Sequence, residues 1–219
     1  IGLGEPSDRP ITQWDEMFLP QELHDIVATL QVRDSAGAMH PLVRFDRVLF
    51  RATRPAEPTA PPNLAPRLSC IGLAIGLVLL AVGWRVFAAG VGLRAVAATL
   101  FALWSLVAGV LGTVIAFLWA LTPHVFAHSN ENLLLFNPLW LILVVLLPVA
   151  FTAHRAVRAT RRLAVGLAAL TVIALLAHLV RLSPQSNLAI IGLALPPAIA
   201  IAIVASRLRR SARIDPSIR

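Results

Sequence analysis

The feature that most constrains this 219-residue chain is a series of five apolar stretches that fill its last two thirds. In order, they are about Leu68–Trp84, Ala95–Leu121, Leu133–Phe151, Leu163–Val180 and Leu188–Ser206. A helix needs about 20 apolar residues to cross the hydrocarbon core of a membrane, with a range of about 17–25. The pattern therefore predicts a mainly α fold: a polytopic helical membrane domain of about five transmembrane helices, with a small α+β extracytoplasmic N-terminal segment.

Two of these stretches contain residues that should shape their helices. The third reaches a spanning length only if Asn137 and Pro138 belong to its first turns. Pro196 and Pro197 lie midway through the fifth, where each removes a backbone donor. We expect that helix to kink, with neighbouring helices satisfying the freed carbonyl groups.

Composition agrees with a membrane domain and argues against a nucleic-acid binder. Hydrophobic residues make up 58% of the chain and charged residues 14%, with a mean hydropathy of +0.78. The isoelectric point of about 11.7 would suit a phosphate-binding surface. However, the arginines flank apolar stretches, as they do in membrane proteins. Membrane lipids are therefore the predicted partners, and no nucleic acid is predicted.

Arginine positions also predict the orientation, because cytoplasmic loops are enriched in basic residues. If the N-terminal segment is extracytoplasmic, the outer loops carry only Arg181. The inner loops and residues 207–213 of the C-terminal tail then carry ten arginines: Arg85, Arg94, Arg155, Arg158, Arg161, Arg162, Arg207, Arg209, Arg210 and Arg213. This bias predicts an extracytoplasmic N-terminal segment and a cytoplasmic C-terminus.

The predicted organisation has four parts. Residues 1–54 are expected to form the C-terminal end of an extracytoplasmic α+β domain, and 55–67 a Pro-rich linker. Residues 68–206 form the helical transmembrane domain and 207–219 a basic cytoplasmic tail. Because Ile1 is not an initiator methionine, we expect the chain to be the C-terminal part of a longer protein.

Within the N-terminal segment, the pattern predicts one helix and one or two strands. The helical spacing involves Leu23, Ile26, Val27 and Leu30. The stretch "DSAG" predicts a turn, and "PLVRFDRVLFRA" predicts strands with Val43 and Phe45 on one face. So short and charged a segment should bury little apolar surface.

The stretch "HVFAHSNENLLLFNP", residues 124–138, places many polar side chains between two apolar spans. The spacing of His124 and His128 would put both on one helical face, with Glu131 three residues later. Three interpretations stay open: a zinc site, a proton-transfer pair, or a polar loop that caps the third span. Without a zinc signature, no metal and no cofactor is predicted. The candidate site residues are His124, His128, Asn130, Glu131, Asn132 and Asn137.

Three further features have a structural and a functional interpretation. Cys70 is the only cysteine, so it forms no intrachain disulfide, and we expect a small buried apolar residue. His178 is an ionisable group inside the fourth span, hence a functional candidate or a hydrogen-bond partner of a neighbouring helix. Gly72 and Gly76 form a GxxxG pattern that can bring two helices close together.

Two stretches resemble one known family. "GLGEPSDRPITQWDEMFLP", residues 2–20, and "LWALTPHVFAHSNENLLLFNPL", residues 118–139, resemble the C-terminal portion of bacterial Lnb-like proteins, named after a lipoprotein N-acyltransferase. The resemblance implies an extracytoplasmic, cysteine-peptidase-like domain followed by a membrane domain in the bacterial cytoplasmic (inner) membrane. It implies acyl transfer to a lipoprotein, with the catalytic groups upstream of this chain. In this chain, the residues that match the family are those of the polar loop, including Pro138.

The sequence therefore favours the membrane domain of a lipid- or lipoprotein-modifying, acyltransferase-like protein. In this hypothesis the polar loop positions a lipid beneath an upstream catalytic domain. One alternative is a non-catalytic membrane anchor or scaffold for that domain. A small transporter is a third interpretation, which the scarcity of polar groups within the spans disfavours.

Overall fold

The computed structural model describes residues 3–4, 7, 12, 18–50, 53, 62–86, 91–182 and 185–214. The chain divides into two compact units. One is Arg9–Pro62, and the other combines Ile1–Asp8 with Asn63–Arg219. Most of the predicted linker lies outside the described residues.

The smaller unit contains a helix followed by a two-stranded antiparallel hairpin. Helix α1 is Pro20–Thr29, and the strands are β1 (Gln31–Arg33) and β2 (Met39–Pro41). At the predicted turn, Asp34 Oδ1 accepts hydrogen bonds of 2.9 Å from the backbone N–H groups of both Ala36 and Ala38. Gly37 adopts a φ of 88°, which a side chain would disfavour. The helix and turn predictions are confirmed.

The strand prediction for "PLVRFDRVLFRA" is wrong beyond Pro41. Within residues 18–50, the ladder pairs Gln31 with Pro41 and Arg33 with Met39, and ends there. The tight turn at Asp34 to Gly37 explains the difference, because it folds β2 back onto β1 before Val43 is reached. Phe45 remains 83% exposed.

Two histidine–aspartate pairs connect parts of this unit. His24 lies 2.8 Å from Asp25 and 3.1 Å from Asp46, and hydrogen bonds to these carboxylates raise the pKa of His24. His40 lies 2.9 Å from Asp34, and this contact lowers the pKa of Asp34, with backbone amides adding to the effect. All five side chains are solvent-exposed, so we assign these contacts of His24 and His40 to local structure.

The larger unit contains five helices among its described residues. They are α2 (Ala65–Val86), α3 (Val91–Leu121), α4 (Trp140–Thr152), α5 (Val157–Leu179) and α6 (Leu188–Ile214). Four of them, α2, α3, α5 and α6, are long and apolar enough to cross a membrane. The prediction of a mainly helical, multi-pass membrane protein is therefore confirmed, and helix α6 continues through the predicted tail as far as residue 214.

Helix α4 is shorter than the predicted third span. It contains 13 residues, which at 1.5 Å per residue is about 20 Å, less than the roughly 30 Å of hydrocarbon. It begins at Trp140 because Pro138 disfavours a helical conformation in the residue before it. Asn137 Oδ1 also accepts a 3.0 Å hydrogen bond from the Leu139 N–H. Asn137 and Pro138 therefore precede the helix, so the condition under which the third stretch would reach a spanning length is not met.

Helices α2 and α6 run parallel and approach each other closely through small residues. A methyl group added to Gly76 would lie 2.8 Å from the Pro196 carbonyl carbon, and one added to Gly72 would collide with the carbonyl oxygens of Gly192 and Leu193. Those are the two carbonyls that Pro196 and Pro197 leave without an intrahelical donor. The predicted GxxxG pattern thus forms a helix contact at the proline site.

The alternating helices give the larger unit two chemically different ends. We call one the loop end, formed by residues 122–139, 180–182, 185–187 and Leu3–Gly4. The arginine end comprises the described parts of 85–94, residues 153–162 and the last turns of α6. Cys70 is exposed on the surface of α2, so the expectation that it is buried is wrong.

Candidate functional site

The segment between α3 and α4 is built from two short 3₁₀ helices. They are Val125–Ala127 and Glu131–Leu134. Ser129, between them, adopts a φ of 50°, which reverses the chain direction. This backbone is not α-helical, so the sequence spacing of its side chains does not define a helical face.

The second half of this segment enters the helix bundle. A methyl group added to Gly109 would lie 2.7 Å from the Leu141 nitrogen, and one added to Gly112 would lie 2.7 Å from the Asn137 carbonyl carbon. Gly112 is nine residues before the end of α3, about 14 Å along the helix axis. The turn at Asn137 therefore lies well below the tip of α3. Non-helical backbone at such a depth must be enclosed by protein, and Phe136 is 1% exposed.

The two histidines of the loop have different environments. His124 is exposed and precedes the first 3₁₀ helix, whereas His128 is partly buried and follows it. The His128 Nε2–H group donates a 3.2 Å hydrogen bond to the carbonyl oxygen of Thr122, just beyond the end of α3. The predicted shared helical face is therefore not formed. Among the residues that the structure describes, no group of three His, Cys, Asp or Glu side chains is arranged to hold a metal ion.

Buried amide side chains form the centre of the loop end. Asn130, Asn132, Gln185 and Asn187 are exposed by 5% or less. Asn130 Oδ1 accepts a 3.0 Å hydrogen bond from the Asn132 N–H and thereby caps the second 3₁₀ helix. Gln185 Oε1 accepts a 2.9 Å bond from the Glu131 N–H, and its Nε2 lies 3.5 Å from Asn130 Oδ1. We call these four residues the amide cluster.

The amide cluster also holds the N-terminal segment of the chain. Gln185 Nε2 donates a 2.9 Å hydrogen bond to the Leu3 carbonyl, and the Gly4 N–H donates a 2.7 Å bond to the Phe126 carbonyl. A side chain at position 4 would collide with the carbonyl oxygen of His128, so only glycine fits. The two stretches that carry the family resemblance therefore touch each other.

Several buried polar atoms at the loop end have no hydrogen-bond partner among the described residues. They include Trp140 Nε1, His178 Nδ1 and Asn187 Oδ1. Asn187 is only 3% exposed, and such buried polar atoms are normally paired. His178 lies in the last turn of α5, and the expected hydrogen bond to a neighbouring helix is not formed at its Nδ1.

Sequence reasoning identified one of the two loops that build this site. Five of its six candidate residues belong to the folded segment 128–137, while His124 lies at its exposed edge. Gln185 and Asn187 were missed, although "SPQSN" follows the fourth span on the same predicted side as the first loop. The sequence could have indicated them, because both polar loops are predicted to lie on the same side of the membrane. Leu3 and Gly4 contribute backbone groups, which no side-chain pattern indicates.

Comparison with known families supports the assignment of the larger unit. Residues 64–210 match the family described as the Lnb transmembrane domain. Because this match covers more than half of the chain, the protein belongs to that family. No curated protein and no solved structure matches the chain. The loop stretch 118–139 lies inside the matched region, while residues 2–20 lie outside it.

Proposed function

We propose that this Lnb transmembrane domain serves an extracytoplasmic protein that modifies lipids or lipoproteins by acyl transfer. In this proposal the catalytic groups lie in an upstream domain, and the loop end positions the polar part of a lipid beneath that domain. The observation that carries the proposal is the amide cluster, which combines deep burial with the unpartnered Asn187 Oδ1.

The depth of the loop supports a role at the level of lipid headgroups. Gly112, which contacts the turn at Asn137, lies eighteen residues beyond Arg94 on α3. That separation is about 27 Å at 1.5 Å per residue, close to the roughly 30 Å thickness of the hydrocarbon core. With Arg94 near one membrane boundary, the turn lies near the other, where ester and phosphate groups are found.

The available side chains suit binding and proton transfer at such a site. Asn187 Oδ1 is buried and has no partner among the described residues, so it can accept a hydrogen bond from a hydroxyl or amine of a substrate that enters the loop end. His124 is exposed at the same end, and an imidazole there can accept or donate a proton. The arginine distribution supports an extracytoplasmic location of this end in a bacterial inner membrane.

Activity of the full-length protein tests the proposal. Acyl transfer to a lipoprotein peptide and hydrolysis of lipid esters are measured for Asn187→Ala, His124→Ala and a control, Cys70→Ser on the surface of α2. We expect about a tenfold loss for Asn187→Ala and about a hundredfold loss for His124→Ala, with Cys70→Ser at the wild-type rate. Wild-type rates in both loop variants would refute substrate positioning.

A non-catalytic anchor is the second candidate, and one observation favours it. The hydrogen bonds from Gln185 to Leu3 and from Gly4 to Phe126 fix Leu3 and Gly4 to the loop end. A protein that serves only as an anchor requires these hydrogen bonds, but it does not require a buried unpartnered group such as Asn187 Oδ1. Its signature is wild-type activity in Asn187→Ala and His124→Ala, together with loss of attachment in Gln185→Ala.

A further inference from the structure

The beginning of α5 presents three arginines on one face. Arg158, Arg161 and Arg162 are followed on that face by Val165 and Gly166, at the helical spacing of three and four residues. These five residues line a cavity of about 620 Å³ at the arginine end. The cavity is therefore cationic at its outer part and apolar further along the helix.

A neighbouring cavity is lined mainly by helix α6. This second cavity of about 340 Å³ shares Val165 and is lined by Ala202, Ile203, Ser206 and Arg207. The Arg207 guanidinium carbon lies 3.0 Å from the centre of the Trp84 ring, so a cation–π contact with α2 fixes this side chain. We call the combined surface the α5–α6 groove.

The positive charge of this groove has no counterpart in the described part of the chain. There, the ion pairs involve only His24 and His40, and no carboxylate pairs with Arg158, Arg161, Arg162 or Arg207. The first turns of a helix also carry a positive partial charge, which disfavours cations. Both facts favour an anion beside Arg158, Arg161 and Arg162.

We propose that the α5–α6 groove binds an anionic phospholipid. Its phosphodiester would lie against Arg158, Arg161 and Arg162, since guanidinium groups bind phosphate oxygens in a bidentate manner. Its acyl chain would follow Val165, Gly166 and Ile203, which face away from the protein core. The apolar continuation distinguishes a lipid from a free phosphate ion, which would use only the arginines. Basic grooves between transmembrane helices are suited to lipid headgroups.

Removal of charge is the first test. The purified chain in a neutral detergent is titrated with phosphatidylglycerol or phosphatidylcholine, and bound lipid is counted by native mass spectrometry. We expect phosphatidylglycerol affinity to fall on the order of a hundredfold in the triple variant Arg158→Gln, Arg161→Gln, Arg162→Gln. Arg155→Gln is the control, because Arg155 lies at the same end of the unit, just before α5, and does not line the groove. An equal loss in the control would refute a localised site.

Filling the apolar part is the second test, and it leaves every charge in place. No described atom lies within 4 Å of where a side chain at Gly166 would begin, so Gly166→Leu should fold while occupying the groove. Gly92→Leu, also in open space at the arginine end, is its control. We expect at least a tenfold loss of phosphatidylglycerol affinity in Gly166→Leu only.

Three results would overturn the lipid assignment. The first is equal binding of phosphatidylglycerol and phosphatidylcholine, which would mean that the arginines do not select an anion. The second is wild-type lipid affinity in Gly166→Leu. The third is protection of the protein against thermal unfolding by inorganic phosphate to the same extent as by phosphatidylglycerol, which would assign the arginines to a free anion.

Discussion

At the loop end the buried polar groups are uncharged amides that bond to backbone, whereas the arginine end carries its charge on arginines at the surface. Gln185 is 5% exposed and bonds to Leu3, Glu131 and Asn130. Arg158 and Arg162 are exposed and form no ion pair with any described residue. The same helices thus end in a hydrogen-bonded layer on one side and a charged rim on the other.

This difference has a physical cause. An amide can be buried at moderate cost when its donors and acceptors are paired, while an unpaired buried charge is far more costly. Removal of one amide at the loop end leaves its buried partners without hydrogen bonds, which costs free energy. The loop end can therefore favour one specific arrangement of the chain and hold a binding site. The arginine end is suited to sidedness and to contacts with lipid, since its charges remain solvated.

The largest expected difference between the two ends is in cysteine labelling of intact cells, where one end should be labelled and the other should not. Single cysteines at Ser129 and Ser186, both exposed at the loop end, should react with an impermeant thiol reagent in a Cys70→Ser background. A cysteine at Ala153, exposed at the arginine end, should not react. Labelling at Ala153 alone would reverse the orientation of the protein.

The next largest effect should follow from blocking the entry of the loop into the bundle. A side chain at Gly112 would collide with the backbone of Phe136 and Asn137, so we expect Gly112→Leu to cost about 3 kcal/mol. Gly92→Leu, in open space on the same helix, is the matched control. Unfolding in detergent, followed by circular dichroism, measures both. Equal stability of the two variants would mean that the turn does not pack into α3.

Loss of one amide should have an intermediate effect. Gln185→Ala leaves the Glu131 N–H and the Leu3 carbonyl without their partner, at a cost of about 2 kcal/mol. Hydrogen exchange should accelerate at Gly4 and Glu131, while the exposed Gln21→Ala should leave both rates unchanged. If exchange at Gly4 is as slow as in the wild type, Gln185 does not hold the N-terminal segment.

Much of the helical framework was predictable because long apolar runs have few alternatives to a membrane helix. The four long helices and the role of Gly72 and Gly76 follow directly from local sequence. Helix α4 was predicted too long because its apolar run includes Leu133 to Phe136, which lie in the second 3₁₀ helix and the turn that follows it, and of which Leu135 and Phe136 are buried. Hydropathy records that a residue is apolar and does not record the backbone conformation that buries it.

The candidate site was only partly predictable for a different reason. Asn130 and Asn132 stand out as polar residues beside apolar spans, but Gln185 joins them from a loop more than fifty residues away. That pairing depends on the packing of α5 and α6 against the first loop. The histidine spacing misled the prediction because His124 and His128 flank a short 3₁₀ helix and neither has a helical backbone conformation, so the α-helical register that the spacing assumes is absent.

The smallest expected effect concerns a single charge at the arginine end. Arg162 is exposed, and no described carboxylate pairs with it. Its guanidinium is therefore hydrated in the folded and the unfolded protein alike, and Arg162→Gln should change the free energy of unfolding by less than about 0.5 kcal/mol. The measurement uses unfolding in detergent followed by circular dichroism, without anionic lipid, so that lipid binding cannot stabilise the wild type.

If Arg162→Gln instead costs as much free energy of unfolding as Gln185→Ala, the arginine takes part in the hydrogen bonds of the folded core, and the contrast between the two ends fails. Addition of phosphatidylglycerol should then separate the two contributions, because a lipid that binds the folded state stabilises the wild type more than the variant.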